Sequence, residues 1–305
     1  MSSSAHHSID ARITERRNPH SAALDTKSTL EVLRIINRED ARVARAVQKV
    51  IPQIARAVDM AVAGLARGGR LVYLGAGTSG RLGVLDAAEC IPTFGTEQVV
   101  AVMAGAPGSM FRPSEISEDD PALGERDLRR IRFSRGDVLV GISASGRTPY
   151  VIGGLRHARR MRAGTVLLTA NPEAEASRLA TVIVAPVVGA EVIAGSTRLK
   201  AGTAQKLVLN MISTATMVRL GRVFSNLMIQ VQLTNAKLRR RAESILIENT
   251  GATAARARKA LEASGMSLPV AMLMLARRVS GEKAAALLKS DPSTSAVLRR
   301  ALKAR

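Results

Sequence analysis

The sequence of 305 residues has few or none of the features that are typical of disulfide-bonded, membrane, secreted or single-strand-binding proteins. Its single cysteine, Cys90, excludes an internal disulfide and fits a reducing compartment such as the cytoplasm. No run of about 18 apolar residues is present, so no membrane span is expected. The start lacks the basic and then apolar pattern of a secretory signal. Aromatic residues make up 2% of the chain, with no Trp, which argues against base stacking with single-stranded nucleic acid.

Acidic residues are also scarce relative to basic ones. The chain has 45 Lys and Arg against 25 Asp and Glu, a net charge of +20. Such an excess attracts anions. Because the basic residues are spread along the chain, we interpret most of them as solvated helix faces and expect no nucleic-acid or membrane partner. The four His residues and one Cys form no ligand cluster, so no metal and no cofactor are expected.

Hydrophobic periodicity predicts an α/β fold. Apolar residues at three- and four-residue steps indicate helices over residues 29–68, with a break near Pro52. Further along, short apolar runs rich in Val, Leu and Ile barely alternate, as is typical of strands buried on both faces of a parallel sheet. They lie at residues 70–74, 98–103, 137–142, 165–169 and 181–185, with helical patterns between them.

The chain after the last apolar run is predicted to be helical. One helical stretch covers residues 199–246, interrupted near Gly221, and a small, Ala-rich, basic segment follows it. This segment is read as three or four short helices at residues 252–264, 267–277, 280–289 and 294–303.

Two loops of small and hydroxyl residues each follow a predicted strand and precede a predicted helix. They are residues 75–80, GAGTSG, and residues 143–148, SASGRT. Helix N-termini offer free N–H groups, and two such loops at the ends of parallel strands form a site for one phosphate. The predicted ligands are Thr78, Ser79, Ser143, Ser145, Gly146 and Thr148. The alternative is that the loops are merely tight turns with helix caps.

The loops lack the marks of a nucleotide site. GAGTSG fits G-x-G-x-x-G, but no Asp or Glu closes the second strand to hold a ribose, and neither loop has the Gly-Lys-Ser/Thr of a P-loop. A sugar phosphate is therefore the favoured ligand.

Both loops resemble those of the sugar isomerase (SIS) domain. Residues 191–205, EVIAGSTRLKAGTAQ, are similar to the signature shared by N-acetylmuramic acid 6-phosphate etherases and the glucokinase regulatory protein. Segments 14–19, 85–90 and 226–228 resemble the bacterial etherases. This resemblance implies a cytoplasmic, homodimeric lyase of cell-wall amino-sugar recycling. It would release D-lactate and N-acetylglucosamine 6-phosphate from N-acetylmuramate 6-phosphate by β-elimination and water addition.

The predicted elements, together with the resemblance, divide the chain into four parts. We expect an N-terminal arm with helices at residues 1–60, an SIS sugar-phosphate-binding domain at 61–224, a connecting helix at 225–250 and a small helical domain at 251–305.

Glu89 is the first candidate catalytic residue. Ile91-Pro92 is expected to stop its helix, because a residue before proline avoids α geometry. A carboxylate in the last turn faces the negative end of the helix dipole, and this would raise its pKa. A raised pKa suits a group that protonates a leaving oxygen, and the family places its proton donor at the matching glutamate. The alternative is an exposed glutamate at a helix end.

Glu118 is the second candidate. The family carries another acid/base glutamate in a Glu-x-x-Glu-Asp pattern, which here reads EISED at residues 115–119. The stretch before it departs from the family pattern, so Glu115, Asp119 and Asp120 remain rivals. The alternative is an acidic solvated loop.

The signature stretch holds further polar residues whose roles stay open. Ser196, Arg198 and Lys200 would contact substrate or, for Lys200 and Lys206, balance charge or hold a dimer. Two other functions also remain open. One is a non-catalytic phosphosugar sensor, which would not need Glu89. The other is a phosphosugar-responsive DNA-binding regulator, although the N-terminal helices offer no evident recognition helix.

Overall fold

The computed structural model describes residues 14–112, 115–233, 235–291 and 293–303. The chain forms two compact units. One comprises the described part of residues 1–87 together with 98–213, and the other comprises residues 88–97 together with 214–305.

The first unit starts with helices that the periodicity predicted. Helices α1 Thr29–Asp40, α2 Val43–Gln48 and α3 Ile51–Ala66 follow two short 3₁₀ turns. The predicted break near Pro52 is confirmed: the proline lies in the first turn of α3, where its missing N–H is not needed. The helices also break at residues 41–42, where the sequence has no proline that would predict a break.

All five predicted strands are present and parallel. They are β1 Leu71–Gly75, β2 Val99–Met103, β3 Val138–Ile142, β4 Gly164–Leu168 and β5 Val182–Val184, in the order β2-β1-β3-β4-β5. Every residue of β1 and β3 is buried, as the unbroken apolar runs predicted. The helices between the strands are α4 Gly77–Phe94, α5 Glu115–Glu118, α6 Pro121–Arg130 and α7 Pro149–Arg160.

Helix α4 corrects one prediction. It does not stop at Ile91-Pro92 but continues to Phe94, with Pro92 inside it. Proline lacks an N–H, so the carbonyl of Ala88 loses its helical partner. The helix tolerates this because the proline is only two residues from the helix end, where Gly95, at φ +59°, donates its N–H to the Ile91 carbonyl.

Helix α8 Lys200–Arg219 follows the sheet. The non-helical segment after it is longer than the predicted interruption near Gly221. A two-stranded antiparallel ribbon, β6 Val223–Phe224 and β7 Leu227–Met228, precedes α9 Ala236–Thr250.

The four predicted C-terminal helices are confirmed as α10 Ala254–Ala263, α11 Leu268–Arg277, α12 Gly281–Lys289 and α13 Thr294–Lys303. Their apolar faces share a core with α9 and the ribbon. Within the described residues, no helix is both long and apolar enough to cross a membrane.

Candidate functional site

The two predicted loops meet at the edge of the sheet where open α/β folds bind ligands. They follow β1 and β3, which are hydrogen-bonded neighbours with Gly75 paired to Ile142. From β1 the chain moves to β2 on one side, and it then crosses to β3 on the other side. This change of direction opens a crevice beyond the carboxyl ends of β1 and β3.

The first loop is itself the start of a helix. Helix α4 begins at Gly77, so Thr78 and Ser79 lie in its first turn, where backbone N–H groups lack helical acceptors. Gly77 has φ +53°, which favours glycine. The hydroxyl of Ser79 donates to Oε1 of Gln205 on α8 at 3.0 Å. Sequence reasoning missed Gln205, whose only signal was its place at the end of the signature stretch.

The second loop is held together by its own side chains. The Ser143 hydroxyl oxygen accepts the N–H of Gly146 at 3.0 Å and lies 2.8 Å from the Thr148 hydroxyl. Gly146 has φ +67°, and a Cβ there would lie 2.3 Å from the Ala174 Cβ. Ser145 differs from its neighbours, since within the described part of the chain its oxygen accepts the Arg147 N–H, at 3.3 Å, and no other hydrogen bond.

Glu118 lies at both loops. Its Oε1 accepts a hydrogen bond from the Thr148 hydroxyl at 3.4 Å. Its Oε2 is 3.8 Å from the position that a Cβ on Gly77 would occupy. The structure therefore brings one carboxylate to the crevice between β1 and β3.

The three rivals of Glu118 have other surroundings or lie outside the described part. Asp120 caps α6, where its side chain accepts the N–H of Ala122 at 2.8 Å. Asp119 is exposed, and the side chain of Glu115 is outside the described residues.

Arg81 braces the segment that leads to Glu118. Its guanidinium donates to the carbonyl oxygens of Met110 at 2.9 Å and Ser109 at 2.7 Å. No pattern in the sequence singles out this arginine, because its acceptors are main-chain atoms almost thirty residues away.

Glu89 has surroundings that differ from those expected. It is exposed, and it belongs to the part of α4 that forms the second compact unit. The prediction that Glu89 lies in the last turn of its helix is wrong, because α4 continues through Pro92 to Phe94.

The surroundings of Lys200 are those of a charge-balancing residue, which was the alternative to a substrate contact. It is only 1% exposed, and its Nζ lies 2.5 Å from Oε2 of Glu39. Burial alone would raise the pKa of Glu39, but hydrogen bonds from Lys200 and Asn18 outweigh it and hold that pKa below its usual value. Removing Glu39 would take this partner from the buried ammonium of Lys200, whereas Glu39 without Lys200 would keep Arg42, whose guanidinium lies 3.1 Å from its Oε1. Arg198, by contrast, is exposed, and Ser196 is half-buried.

The N-terminus of α8 already holds a carboxylate. Glu191 accepts the backbone N–H groups of Lys200 at 3.0 Å and Ala201 at 2.9 Å. Burial raises the pKa of Glu191 in spite of these bonds. Helix α8 is therefore capped from within the chain, whereas α4 and α7 begin at the two loops.

Asp86 ties α4 to α8 beside the sheet. This buried carboxylate accepts hydrogen bonds from the Tyr73 hydroxyl at 2.8 Å, the Asn210 amide at 2.6 Å and the Ser213 hydroxyl at 3.1 Å. Across the described part of the chain, no three His, Cys, Asp or Glu side chains are grouped to hold a metal ion.

Comparison with known proteins identifies the family of the chain. Residues 47–159 match the model of the glucokinase regulatory protein N-terminal SIS domain. The chain is 51% identical over 281 residues to the N-acetylmuramic acid 6-phosphate etherase of Klebsiella aerogenes, covering 92% of this chain and 94% of the relative. It is 48% identical over 286 residues to the etherase of Clostridium botulinum, covering 93% and 95% respectively.

Solved structures show the same fold. The phosphoheptose isomerase of Neisseria gonorrhoeae superimposes with a TM-score of 0.50 at 19% identity, covering 62% of this chain and 98% of that one. The predicted SIS-type architecture, a parallel sheet flanked by helices, is thereby confirmed.

Proposed function

Because the chain belongs to the N-acetylmuramic acid 6-phosphate etherase family, we propose that it is a lyase that cleaves the D-lactyl ether of N-acetylmuramate 6-phosphate. The products are N-acetylglucosamine 6-phosphate and D-lactate, as in the recycling of cell-wall amino sugars. The observation that carries the proposal is the position of Glu118 between two phosphate-type loops at the switch point of the sheet.

The reaction needs a base and an acid. In the open-chain sugar, the C2 proton lies next to the C1 aldehyde and is weakly acidic. A base removes it, the electron pair forms the C2=C3 bond, and the C3–O bond to lactate breaks while an acid protonates the departing oxygen. Water then adds at C3 and a proton returns to C2, which gives the N-acetylglucosamine product.

We assign the base to Glu118 and the proton donor to Glu89. Glu118 is supported by its contact with Thr148 and its closeness to Gly77, which puts it beside any ligand held by the two loops. Glu89 is supported by the family motif alone, in the segment LDAAEC at residues 85–90.

The phosphate is proposed to lie where α4 and α7 begin. Both helix N-termini offer free N–H groups and positive dipole ends, which favour an anion. The residues around this place are the six predicted ligands, Thr78, Ser79, Ser143, Ser145, Gly146 and Thr148. The excess of basic residues adds a general attraction for a phosphorylated substrate.

A cytoplasmic homodimer is the proposed form of the protein. Two large apolar side chains close to Glu118 in sequence, Phe111 and Ile116, are 92% and 89% exposed in the single chain. Exposed apolar groups of this size favour burial against a second protein surface. The single cysteine fits a reducing compartment. Light scattering should give twice the chain mass, and a monomer at micromolar concentration would contradict the dimer.

The activity is tested by isotope labelling. Incubation with N-acetylmuramate 6-phosphate should release D-lactate. In H₂¹⁸O the label should enter C3 of the sugar, and in D₂O deuterium should enter C2. Oxygen-18 in lactate with no label at C2 would mean hydrolysis at the lactyl carbon and would contradict the elimination. Unphosphorylated N-acetylmuramate is the matched control and should react far more slowly.

A further inference from the structure

A cavity of the first compact unit lies at the end of the sheet opposite to the crevice. Its volume is about 320 Å³. It is lined by residues around the starts of β4 and β5, including Thr165 and Thr181, and by the end of α7. Parallel strands all begin at one edge of a sheet and end at the other, and the two loops follow strand ends. The cavity is therefore separate from the proposed substrate site.

Three arginines line this cavity, which we call the arginine pocket. Arg159 lies in the last turn of α7, Arg162 lies two residues beyond that helix, and Arg178 belongs to the 3₁₀ turn Glu175–Leu179. None of the described lining residues is acidic. Among the residues that the structure describes, no carboxylate pairs with any of these three guanidinium groups. Positive charges that converge on one cavity without a counter-charge repel one another and attract an anion.

The helix dipole explains only part of this cluster. Basic side chains in the last turn of a helix interact favourably with its negative end, which accounts for Arg159 without a ligand. It does not account for Arg178, which comes from another segment of the chain. One turn earlier on α7, Arg156 lies 3.6 Å from the Glu175 carboxylate, so the chain supplies a counter-charge outside the pocket.

Hydrogen bonds hold the two sides of the arginine pocket together. Arg159 Nη1 donates to the carbonyl oxygen of Arg178 at 2.8 Å. The hydroxyl of Thr165, which is buried on β4, donates to the Leu179 carbonyl at 3.2 Å and accepts the Thr181 N–H at 3.0 Å. A guanidinium has five N–H donors, so the one bond of Arg159 leaves donors for a ligand. Donors on a fixed frame lose little freedom on binding, which favours affinity.

We propose that the arginine pocket binds a pyrophosphate group, either as inorganic pyrophosphate or as part of a nucleoside diphosphate. Guanidinium groups bind phosphate oxygens through paired N–H donors, and three of them match two linked phosphates better than one. The exposed Thr181 hydroxyl borders the same cavity and is a further donor. The volume of about 320 Å³ is at the lower end for small-molecule sites and suits a small anion. This site goes beyond the proposed function and does not depend on it.

Calorimetric titration of the full chain with inorganic pyrophosphate tests the proposal. The titration is made at low salt, because salt screens exposed charges, and with excess N-acetylglucosamine 6-phosphate to occupy the crevice. Arg178→Gln and Arg162→Gln should each raise the Kd about tenfold, the lower end for a hydrogen bond to a charged group. Arg178→Lys keeps the charge and loses the paired donors, so it should raise the Kd less than Arg178→Gln.

Arg156→Gln is the matched control, because it removes one positive charge from the same helix outside the pocket. It should change the Kd less than about twofold. The substituted side chains are all exposed, so the fold should be retained. ADP is the second probe. Tighter binding of ADP than of pyrophosphate identifies a nucleoside diphosphate as the ligand, weaker binding identifies the inorganic anion, and either result supports the site.

An equal rise of the Kd in Arg156→Gln and Arg178→Gln would mean a general attraction of anions to a basic surface and would overturn the proposal. It would also be overturned by an unchanged Kd in both pocket variants, by inorganic phosphate binding as tightly as pyrophosphate, or by no pyrophosphate binding while N-acetylglucosamine 6-phosphate is present. A protein that releases no D-lactate would contradict the proposed function and leave this binding measurement unaffected.

Discussion

The two loops of the site have the same place in the fold and use their polar groups differently. In the first, α4 begins two residues after β1 ends, so Thr78 and Ser79 are already helical and the loop offers mainly backbone N–H groups. In the second, six residues separate β3 from α7, and their side chains turn towards one another and towards Glu118.

The two loop glycines with positive φ, Gly77 and Gly146, differ in their packing. Among the described residues, the atom nearest to a Cβ on Gly77 would be Glu118 Oε2, at 3.8 Å, whereas a Cβ on Gly146 would lie 2.3 Å from the Ala174 Cβ. The first loop therefore has space at Gly77, although Gly75 and Gly80 are packed against each other, and the second loop is packed at Gly146. Open space beside free N–H groups suits a ligand, and tight packing suits the placement of a catalytic group.

The largest expected effect belongs to the carboxylate at the second loop. Glu118→Gln should lower kcat by roughly 10²–10⁴-fold, the usual contribution of a general base, because an amide cannot take the C2 proton. Exchange of deuterium into C2 of N-acetylglucosamine 6-phosphate, followed by NMR, should fall by the same factor. Asp119→Asn is the control. If it lost as much exchange as Glu118→Gln, the assignment of the base to Glu118 would be contradicted.

Glu89 extends the comparison to the helix of the first loop. Glu89→Gln should reduce release of D-lactate by a similar factor, since the amide cannot protonate the leaving oxygen. Binding of N-acetylglucosamine 6-phosphate should be nearly unchanged. A variant that keeps more than about a tenth of the wild-type rate would remove Glu89 from the mechanism.

Alanine at the two glycines tests the packing difference directly. Gly146→Ala should lower the free energy of unfolding by about 2–5 kcal/mol, because left-handed geometry and a steric clash add up. Gly77→Ala, with similar φ and free space, should cost only about 1–2 kcal/mol. Urea denaturation of both variants measures the difference, and equal losses would contradict the contrast between an open and a packed loop.

The smallest expected effect concerns a single hydroxyl. Ser145→Ala should raise KM about tenfold if its hydroxyl donates to the phosphate, the lower end for a bond to a charged group. Ser79→Ala should raise KM by less than about threefold, because the Ser79 hydroxyl already donates its hydrogen bond to Oε1 of Gln205. Steady-state kinetics on both variants, with an analogue that lacks the 6-phosphate as control, would sharpen the comparison. An equal effect of Ser145→Ala on the analogue would show that the hydroxyl only shapes the loop.

The sequence alone determined the parts of this protein that depend on local pattern. Unbroken apolar runs predicted the strands of the parallel sheet, and small polar residues after two of them predicted the loops. Glycine at 77 and 146 reports backbone geometry directly, since both positions have positive φ. The motifs also identified the family, because they are short and contiguous.

Only the tertiary structure decided what depends on distant partners. Periodicity cannot show that Lys200 is buried against Glu39, 161 residues away. It cannot show that the helix tolerates Pro92, because the cost of one lost hydrogen bond depends on how close the helix end is. Nor can it choose among four neighbouring acids. Glu118 differs from Asp119 and Asp120 by its closeness to Thr148 and Gly77, which the fold brings to it from two other strand ends. Such contacts depend on atomic positions that the sequence pattern does not contain.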